Sequence, residues 1–376
     1  MYTVNEILEK EEEKYYPILK SIVEKNRRPL FNEGYQTRLE IEMEIIHRIK
    51  QSKVVWFCYE IIEEAKRKNE PYLIRGPIAD LYLLYLLKIT KFNPIETNCC
   101  FEACLGIMSK PKTSIYFDIS FRCEFVEYMK EYVKKIEAGS KAFHYSYHIE
   151  ETPVPYSSSS IMLIPSYVEP EQFCIIKDSN DEMQILGLRK MDSFDIGVSF
   201  NLISSISLSV IKQMRDLYGI PEFNEAFENY KELIFDDSFT KKEFRKLAEV
   251  LGFDTYEKAI SLESISRSSH KKQNIKDYIF ADRESVYYYL LVNRTMPDFV
   301  AYKIMEDTRR GRFSEIYLDK DIGALIPEPE LKDLSNINYL FIRGHAAEIF
   351  YWRVQEAFYF KNYNNEYYLI KNSYEE

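Results

Sequence analysis

Ser114-Ile-Tyr-Phe-Asp-Ile-Ser-Phe121 is the stretch on which the reading of the fold turns. It is built of β-branched and aromatic residues with lysines and a proline just upstream, the signature of a strand entering a sheet. A helix is expected next, from about Glu124 to Ile136, with Phe125, Met129, Val133 and Ile136 on one side. Beyond it the pattern predicts strands near residues 143–149, 160–165, 173–177 and 184–191, separated by Pro and Ser clusters. The run Ser157 to Ser160 is too short for a linker and reads as a turn.

Upstream of this centre the chain reads as helix. Residues 3–29 carry Val4, Ile7, Leu8, Tyr15, Ile18, Leu19 and Ile22 at helical spacing, ending near Asn26-Arg-Arg-Pro29, where proline disfavours helix in the residue before it. A second helical stretch is predicted from about Thr37 to Lys68, with Leu39, Ile41, Ile45, Ile46, Ile49, Val54, Val55 and Phe57 on its inner face. After the break at Asn69-Glu-Pro71 come a short strand, Tyr72-Leu-Ile74, a tight Arg75-Gly76-Pro77 turn and an apolar helix from Ile78 to Leu87. From Asn201 onward nearly everything reads as helices joined by short turns. The order is helical entry, central mixed sheet and helical second half, an α+β arrangement without internal repeats.

Composition narrows the function classes. The 376 residues and 46% hydrophobic content describe two or three compact units and exclude a disordered chain. No run of about 18 uncharged apolar residues exists, so no membrane span is expected. Residues Met1 to Lys14 are acidic rather than basic then apolar, unlike a secretory signal, and a cytoplasmic location is expected. With 50 Lys+Arg against 60 Asp+Glu the net charge is −10. That balance argues against a surface basic all over, so any nucleic-acid contact must come from a local patch. The six cysteines at 58, 99, 100, 104, 123 and 174 follow no zinc spacing and read as buried thiols.

Several segments, in order, resemble the catalytic core of the bacterial C-family replicative polymerases, the DNA polymerase III alpha subunits, and most closely the PolC-type branch. The first is Arg38-Leu-Glu-Ile-Glu-Met-Glu-Ile-Ile46, followed by Tyr72-Leu-Ile-Arg-Gly76, Leu83-Leu-Tyr-Leu-Leu-Lys-Ile-Thr90 and Asn93-Pro-Ile95. Phe117-Asp-Ile119 with Phe121 is similar to the family's Pro-Asp-Ile-Asp-x-x-Phe strand. Gly187-Leu-Arg-Lys-Met-Asp192 is similar to its Gly-Leu-x-Lys-x-Asp strand. Further matches are Gly219-Ile-Pro-Glu-Phe223, Ile265-Ser-Arg-Ser-Ser-His270, Tyr302-Lys-Ile-Met-Glu306 with Arg309-Arg-Gly311, Gly344-His-Ala-Ala-Glu348 and Phe358-Tyr-Phe-Lys361.

The resemblance implies an N-terminal helical segment over 1–33, a palm-like domain over 34–200 with a reduced thumb remnant near 122–150, and a helical fingers-like domain over 201–376. It also implies a site. Asp118 and Asp192 stand at two of the family's metal-binding aspartates and are the candidate catalytic and Mg²⁺-binding residues. Arg75, Gly76, Lys190, His270, Lys303, Arg309, Arg310 and His345 are the candidate nucleotide or nucleic-acid contacts.

The departures are as informative as the matches. Tyr116 replaces the first metal-binding aspartate, Ile74 and Pro77 replace the serines of a Ser-Arg-Gly-Ser turn, and Pro155-Tyr-Ser-Ser-Ser-Ser-Ile-Met-Leu-Ile-Pro165 lacks the His and both Gly of a His-x-Gly-Gly loop. Phosphoryl transfer needs two divalent cations about 3.5–4 Å apart, held by carboxylate oxygens. Alternate residues of a strand point the same way, so Asp-x-Asp aims two carboxylates at one point, and Tyr116 breaks that pair. A phenol with an ordinary pKa of about 10 is neutral where an ionised carboxylate is required.

The bland alternatives stand beside these assignments. Asp118 and Asp192 could be solvated or hydrogen-bonded acids near a sheet edge, with Asp195 an outside candidate ligand. Arg75 could pair with a nearby acid, the histidines could be structural, and the basic clusters at Lys241-Lys242-Arg245-Lys246, Lys271-Lys272-Lys276 and Arg309-Arg310-Arg312 could be solvated helix faces. The expectation is a non-polymerising relative that binds DNA or a replication protein, with a residual metal-dependent nucleotidyltransferase as the alternative.

Overall fold

The computed structural model describes residues 2–27, 33–146, 148, 151, 156–179, 183–187, 195–221, 242–253, 255–271, 278–317 and 325–374, the side chains of 242, 243 and 251 excepted. The protein is mixed α and β, and its Cα packing divides it into two compact units. Unit 1 is Met1–Ile78, Leu83–Thr90 and Lys112–Lys212; unit 2 is Ala79–Tyr82, Lys91–Pro111 and Gln213–Glu376.

Unit 1 opens with three helices, α1 (Val4–Asn26), α2 (Glu33–Arg48) and α3 (Ser52–Arg67). Thr3 starts α1 with a capping box, its hydroxyl accepting from the Glu6 amide while the Glu6 carboxylate accepts from Thr3. The continuous helix expected over 37–68 is two helices: Lys50 takes φ 58, and the Gln51 amide folds back onto the Ile46 carbonyl. That left-handed residue closes α2, and no glycine or proline marks the position in the sequence. The strand at 72–74 is β1 (Tyr72–Arg75). The helix expected over 78–87 is instead a 3₁₀ turn, Pro77–Asp80, followed by a short helix, α4 (Tyr82–Leu86).

Seven strands of unit 1, among the described residues, make one mixed sheet. After β2 (Gly106–Ile107) and β3 (Lys110–Pro111), a small hairpin of unit 2, the sheet strands are β4 (Phe117–Phe121), β5 (Lys141–Ser146), β6 (Ser160–Ile164), β7 (Ile175–Lys177), β8 (Ile185–Gly187) and β9 (Val198–Ser204). Their order is β1-β4-β9-β6-β5-β8-β7, with β4 parallel to β9, β5 parallel to β8 and the other pairs antiparallel. The interior strand β9 lies partly where the sequence reading placed the start of the helical half. Its alternation is nonetheless that of a strand, with Val198, Phe200 and Leu202 buried. Phe117 and Phe200 are register partners whose rings stack 5.0 Å apart, so one face of the β4–β9 pair is sealed by aromatic packing. After α5 (Glu102–Leu105), a short helix of unit 2, the helix expected over 124–136 is α6 (Cys123–Ile136), with Phe125, Val126, Met129 and Val133 inward.

A buried charge cluster pins α1, α3 and α6 together. The ammonium of Lys53 bridges Glu11 and Glu137, the latter at 3.0 Å. Glu137 also accepts from Lys14 at 2.6 Å, Tyr15 at 2.7 Å and Ser140 at 2.8 Å. Burial by itself would raise the Glu137 carboxyl; the charge of Lys53 and these hydrogen bonds outweigh it and hold the group at about 2.

Unit 2 is mostly helical, with a second two-stranded ladder, β10 (Ser269–His270) and β11 (Ile337–Tyr339). Its long helix Arg343–Asn362 begins on buried carboxylates. The Gly344 amide donates to Asp80 Oδ1 at 2.8 Å and the Arg343 amide to Glu284 Oε2 at 3.2 Å. The Arg343 guanidinium forks onto both oxygens of Asp282, at 2.8 and 3.2 Å. Gly344 is required here, since a Cβ would lie 2.1 Å from Asp80 Oδ1. Asp80, Asp282 and Glu284 are fully buried. Burial first, and the charges of Asp80 and Asp282 second, raise the Glu284 carboxyl well above its ordinary range despite Arg343.

Lys53→Met leaves Glu11 and Glu137 buried without their cation and should destabilise unit 1 by about 3–5 kcal/mol in denaturant titration. In the parent protein the Glu137 contribution is fully present above its unfolded pKa near 4.5 and is lost as pH falls towards 2, so the denaturation midpoint should drop on acidification through that window. Glu284→Gln keeps an acceptor for the Arg343 amide without the buried charge. Because the Glu284 pKa is raised on folding, the parent loses stability as pH rises above about 4.5, and the variant should melt a few degrees higher at pH 7 with the difference shrinking on acidification, a gain on the order of 1 kcal/mol.

Candidate functional site

The candidate residues of unit 1 meet on the sheet. Register pairs Arg75 of β1 with Asp118 of β4, Asp118 with Asn201 of β9, and Asn201 with Ser160 of β6. These four therefore form a polar row across four adjacent strands, on the face opposite the Phe117–Phe200 stack. The Asn201 amide donates to Asp118 Oδ1 at 2.6 Å and to the Tyr145 hydroxyl of β5 at 3.4 Å. A carboxylate only accepts, so the amide nitrogen must face Asp118, and both of its hydrogens are committed. The Arg75 guanidinium donates to the Ser120 hydroxyl at 3.3 Å. Gly76 follows at φ 78, a backbone conformation natural to glycine, and turns the chain into the 3₁₀ segment begun by Pro77.

Asp118 is half-buried. Burial pushes its carboxyl above the ordinary range, and the Asn201 hydrogen bond and the Arg75 charge oppose that shift without cancelling it. Tyr116 lies just ahead of β4 and is 53% exposed. The position where a second carboxylate would complete an Asp-x-Asp pair thus carries a largely exposed phenol ring.

Magnesium requires near-octahedral oxygen coordination at 2.0–2.1 Å, with carboxylates as its protein ligands. The described residues around Asp118 do not fit that demand. One Asp118 oxygen carries an amide donor, its neighbour on β1 is a guanidinium and its neighbour on β9 is the amide itself. Arg75 is the register neighbour of Asp118 and its charge already acts on that carboxyl, so a dication there would meet like charge from the guanidinium. Among the described residues no group of three or more His, Cys, Asp or Glu is placed to hold a metal ion. Asp192 and Lys190 lie outside the described residues; Asp195 lies just within them, ahead of β9.

The other candidates belong to unit 2 and are each engaged locally. Lys303, Arg309 and Arg310 share the helix Asp298–Thr308 and its end. Lys303 reaches Asp307 at 3.5 Å, Arg309 forks onto Glu306 at 2.7 and 2.8 Å, Arg310 reaches Glu306 at 3.2 Å, and Arg312 reaches Asp307 at 2.7 Å. Four cations share two carboxylates, and the heads of Lys303 and Arg310 are exposed. His270 stacks on Tyr278 at 4.3 Å, and burial lowers its pKa. His345 is buried in the first turn of Arg343–Asn362 with its ring against Phe341 at 4.8 Å.

Sequence reasoning singled out Arg75, Gly76, Tyr116 and Asp118 but did not assign Asn201 and Ser160, which complete the row, or Tyr145, which meets Asn201. The alternation over Val198–Ser204 could have revealed the strand; that Asn201 stands beside Asp118 depends on which strands pair.

Residues 4–142 match the family model described as the bacterial DNA polymerase III alpha NTPase domain, a span that includes Arg75, Tyr116 and Asp118. The chain is also similar to the DNA polymerase III subunit alpha of Campylobacter jejuni, 33% identical over 101 residues. That similarity covers 26% of this chain and 8% of the relative, so the chain spans a small part of that protein's length. The two matches make the chain similar, over residues 4–142 and over a 101-residue stretch, to part of the bacterial DNA polymerase III alpha subunits.

Proposed function

We propose that this protein is a non-polymerising relative of the DNA polymerase III alpha subunit, with unit 1 as a palm and the helical unit as a fingers-like element that holds DNA. The observation that carries the reading is the exposed Tyr116 just ahead of β4, two residues before Asp118, whose carboxylate accepts from Asn201. Two-cation phosphoryl transfer places one ion on the attacking oxygen and one on the triphosphate, and both rest on bridging carboxylates. Here the bridging pair is reduced to one acid that already serves as a hydrogen-bond acceptor. Nucleotide capture at the turn is weakened as well, because Pro77 removes a backbone donor where the family has a serine.

DNA is the favoured ligand because Lys303, Arg309, Arg310 and Arg312 lie close together and share two carboxylates, Glu306 and Asp307. In a chain of net charge −10 such a local excess is what phosphate contacts need. Tyrosines add ring faces on which bases can stack.

Purified protein with primer–template, dNTPs and Mg²⁺ or Mn²⁺ should give no extension product. Template-dependent extension abolished by Asp118→Ala or Asp192→Ala would overturn the reading. Binding of single-stranded oligonucleotide should strengthen as salt is lowered, and Lys303→Glu with Arg310→Glu should weaken it roughly tenfold at low salt, measured by fluorescence anisotropy. Salt-independent binding, or none at low salt, would remove DNA as the ligand and leave a protein partner.

A further inference from the structure

We infer that Asn201, seconded by Arg75, is the lock that keeps Asp118 out of cation coordination and makes this sheet face refuse divalent ions. The inference rests on the reading of unit 1 as a palm and names the residues that enforce its silence. Loss of the acid at position 116 alone would leave Asp118 available to a single ion, as one carboxylate with water can hold a magnesium or manganese ion weakly. The geometry on the sheet goes further. Asn201 is the register partner of Asp118 on a parallel strand, and its amide nitrogen is 2.6 Å from Asp118 Oδ1. The second amide hydrogen is directed to the Tyr145 hydroxyl, which fixes the rotamer from the far side. Arg75 stands at the register position on the other flank, held by Ser120. Asp118 therefore has a donor on one side and a fixed positive charge on the other.

Position 201 is also where one change would reverse the chemistry. Aspartate is the same size as asparagine and would set two carboxylates side by side on adjacent strands, a spacing from which both can reach one ion. The polar row would then change from cation, anion, amide to cation, anion, anion, and removing the guanidinium would complete the reversal. Asn201 acts as a positioning residue here, since it works through Asp118.

The test is Mn²⁺ titration of the full chain, followed by the electron paramagnetic resonance signal of free Mn²⁺, for the parent, Asn201→Asp, Asn201→Asp with Arg75→Gln, and Asn201→Ser. The parent should take up no saturable Mn²⁺ that depends on Asp118, as judged against Asp118→Asn. Asn201→Asp should gain binding, and the double variant should bind at least tenfold more tightly than Asn201→Asp. Asn201→Ser adds no charge and serves should the acidic variants fail to fold; freed of the amide, Asp118 should bind Mn²⁺ measurably more tightly than in the parent. Asp118-dependent binding by the parent would overturn the lock; the proposed loss of polymerisation, which rests on the missing acid at position 116, would still stand and is tested by the extension assay. A silent parent with equally silent, folded variants would overturn the lock and leave that proposal standing.

Discussion

A carboxylate set between a guanidinium and an amide along the hydrogen-bonding direction of a sheet is the constraint from which the behaviour of this molecule follows. Strand spacing fixes the three groups at neighbouring positions, and the stacked Phe117 and Phe200 on the opposite face hold β4 and β9 in the register that aligns them. A slip of one residue would turn Asp118 into the apolar face and the phenylalanines out of it. The polar row and the aromatic stack are thus two sides of one register.

The same economy appears elsewhere: charges taken out of water are matched inside the fold. Lys53 satisfies two acids between α1, α3 and α6. Asp80 and Glu284 fill the N-terminus of the helix Arg343–Asn362, a position where backbone amides would otherwise attract an anion. Asp118 belongs to this pattern of internal compensation. In a polymerase active site the carboxylates are left under-compensated so that metal ions can supply the balance; the described acids of this sheet are balanced by the chain itself.

Much of this was legible in the residues. The strand at Phe117–Phe121, the helix after it and the turn at Arg75-Gly76 declare themselves through side-chain type and spacing, and the ordered motifs resemble those of a polymerase family. The junction at Lys50 was hidden, because a lysine in the left-handed conformation has no compositional mark. So was β9, whose strand pattern runs into the helix starting at Ile206 without a breaking residue. The site was half legible for the same reason. Tyr116 announces the lost carboxylate in one dimension, but the pairing of Asp118 with Arg75 and Asn201 joins residues 43 and 83 positions away in sequence, which only the strand order supplies.

The central claim is that Asp118 is an internal hydrogen-bond acceptor and not a cation ligand. Diffraction at the manganese edge from crystals of the parent protein grown with Mn²⁺ addresses it directly. The account predicts Asn201 Nδ2 within hydrogen-bonding distance of Asp118 and no anomalous peak in coordination range of its carboxylate. An ordered manganese ion bonded to Asp118, with the Asn201 amide turned away, would contradict it.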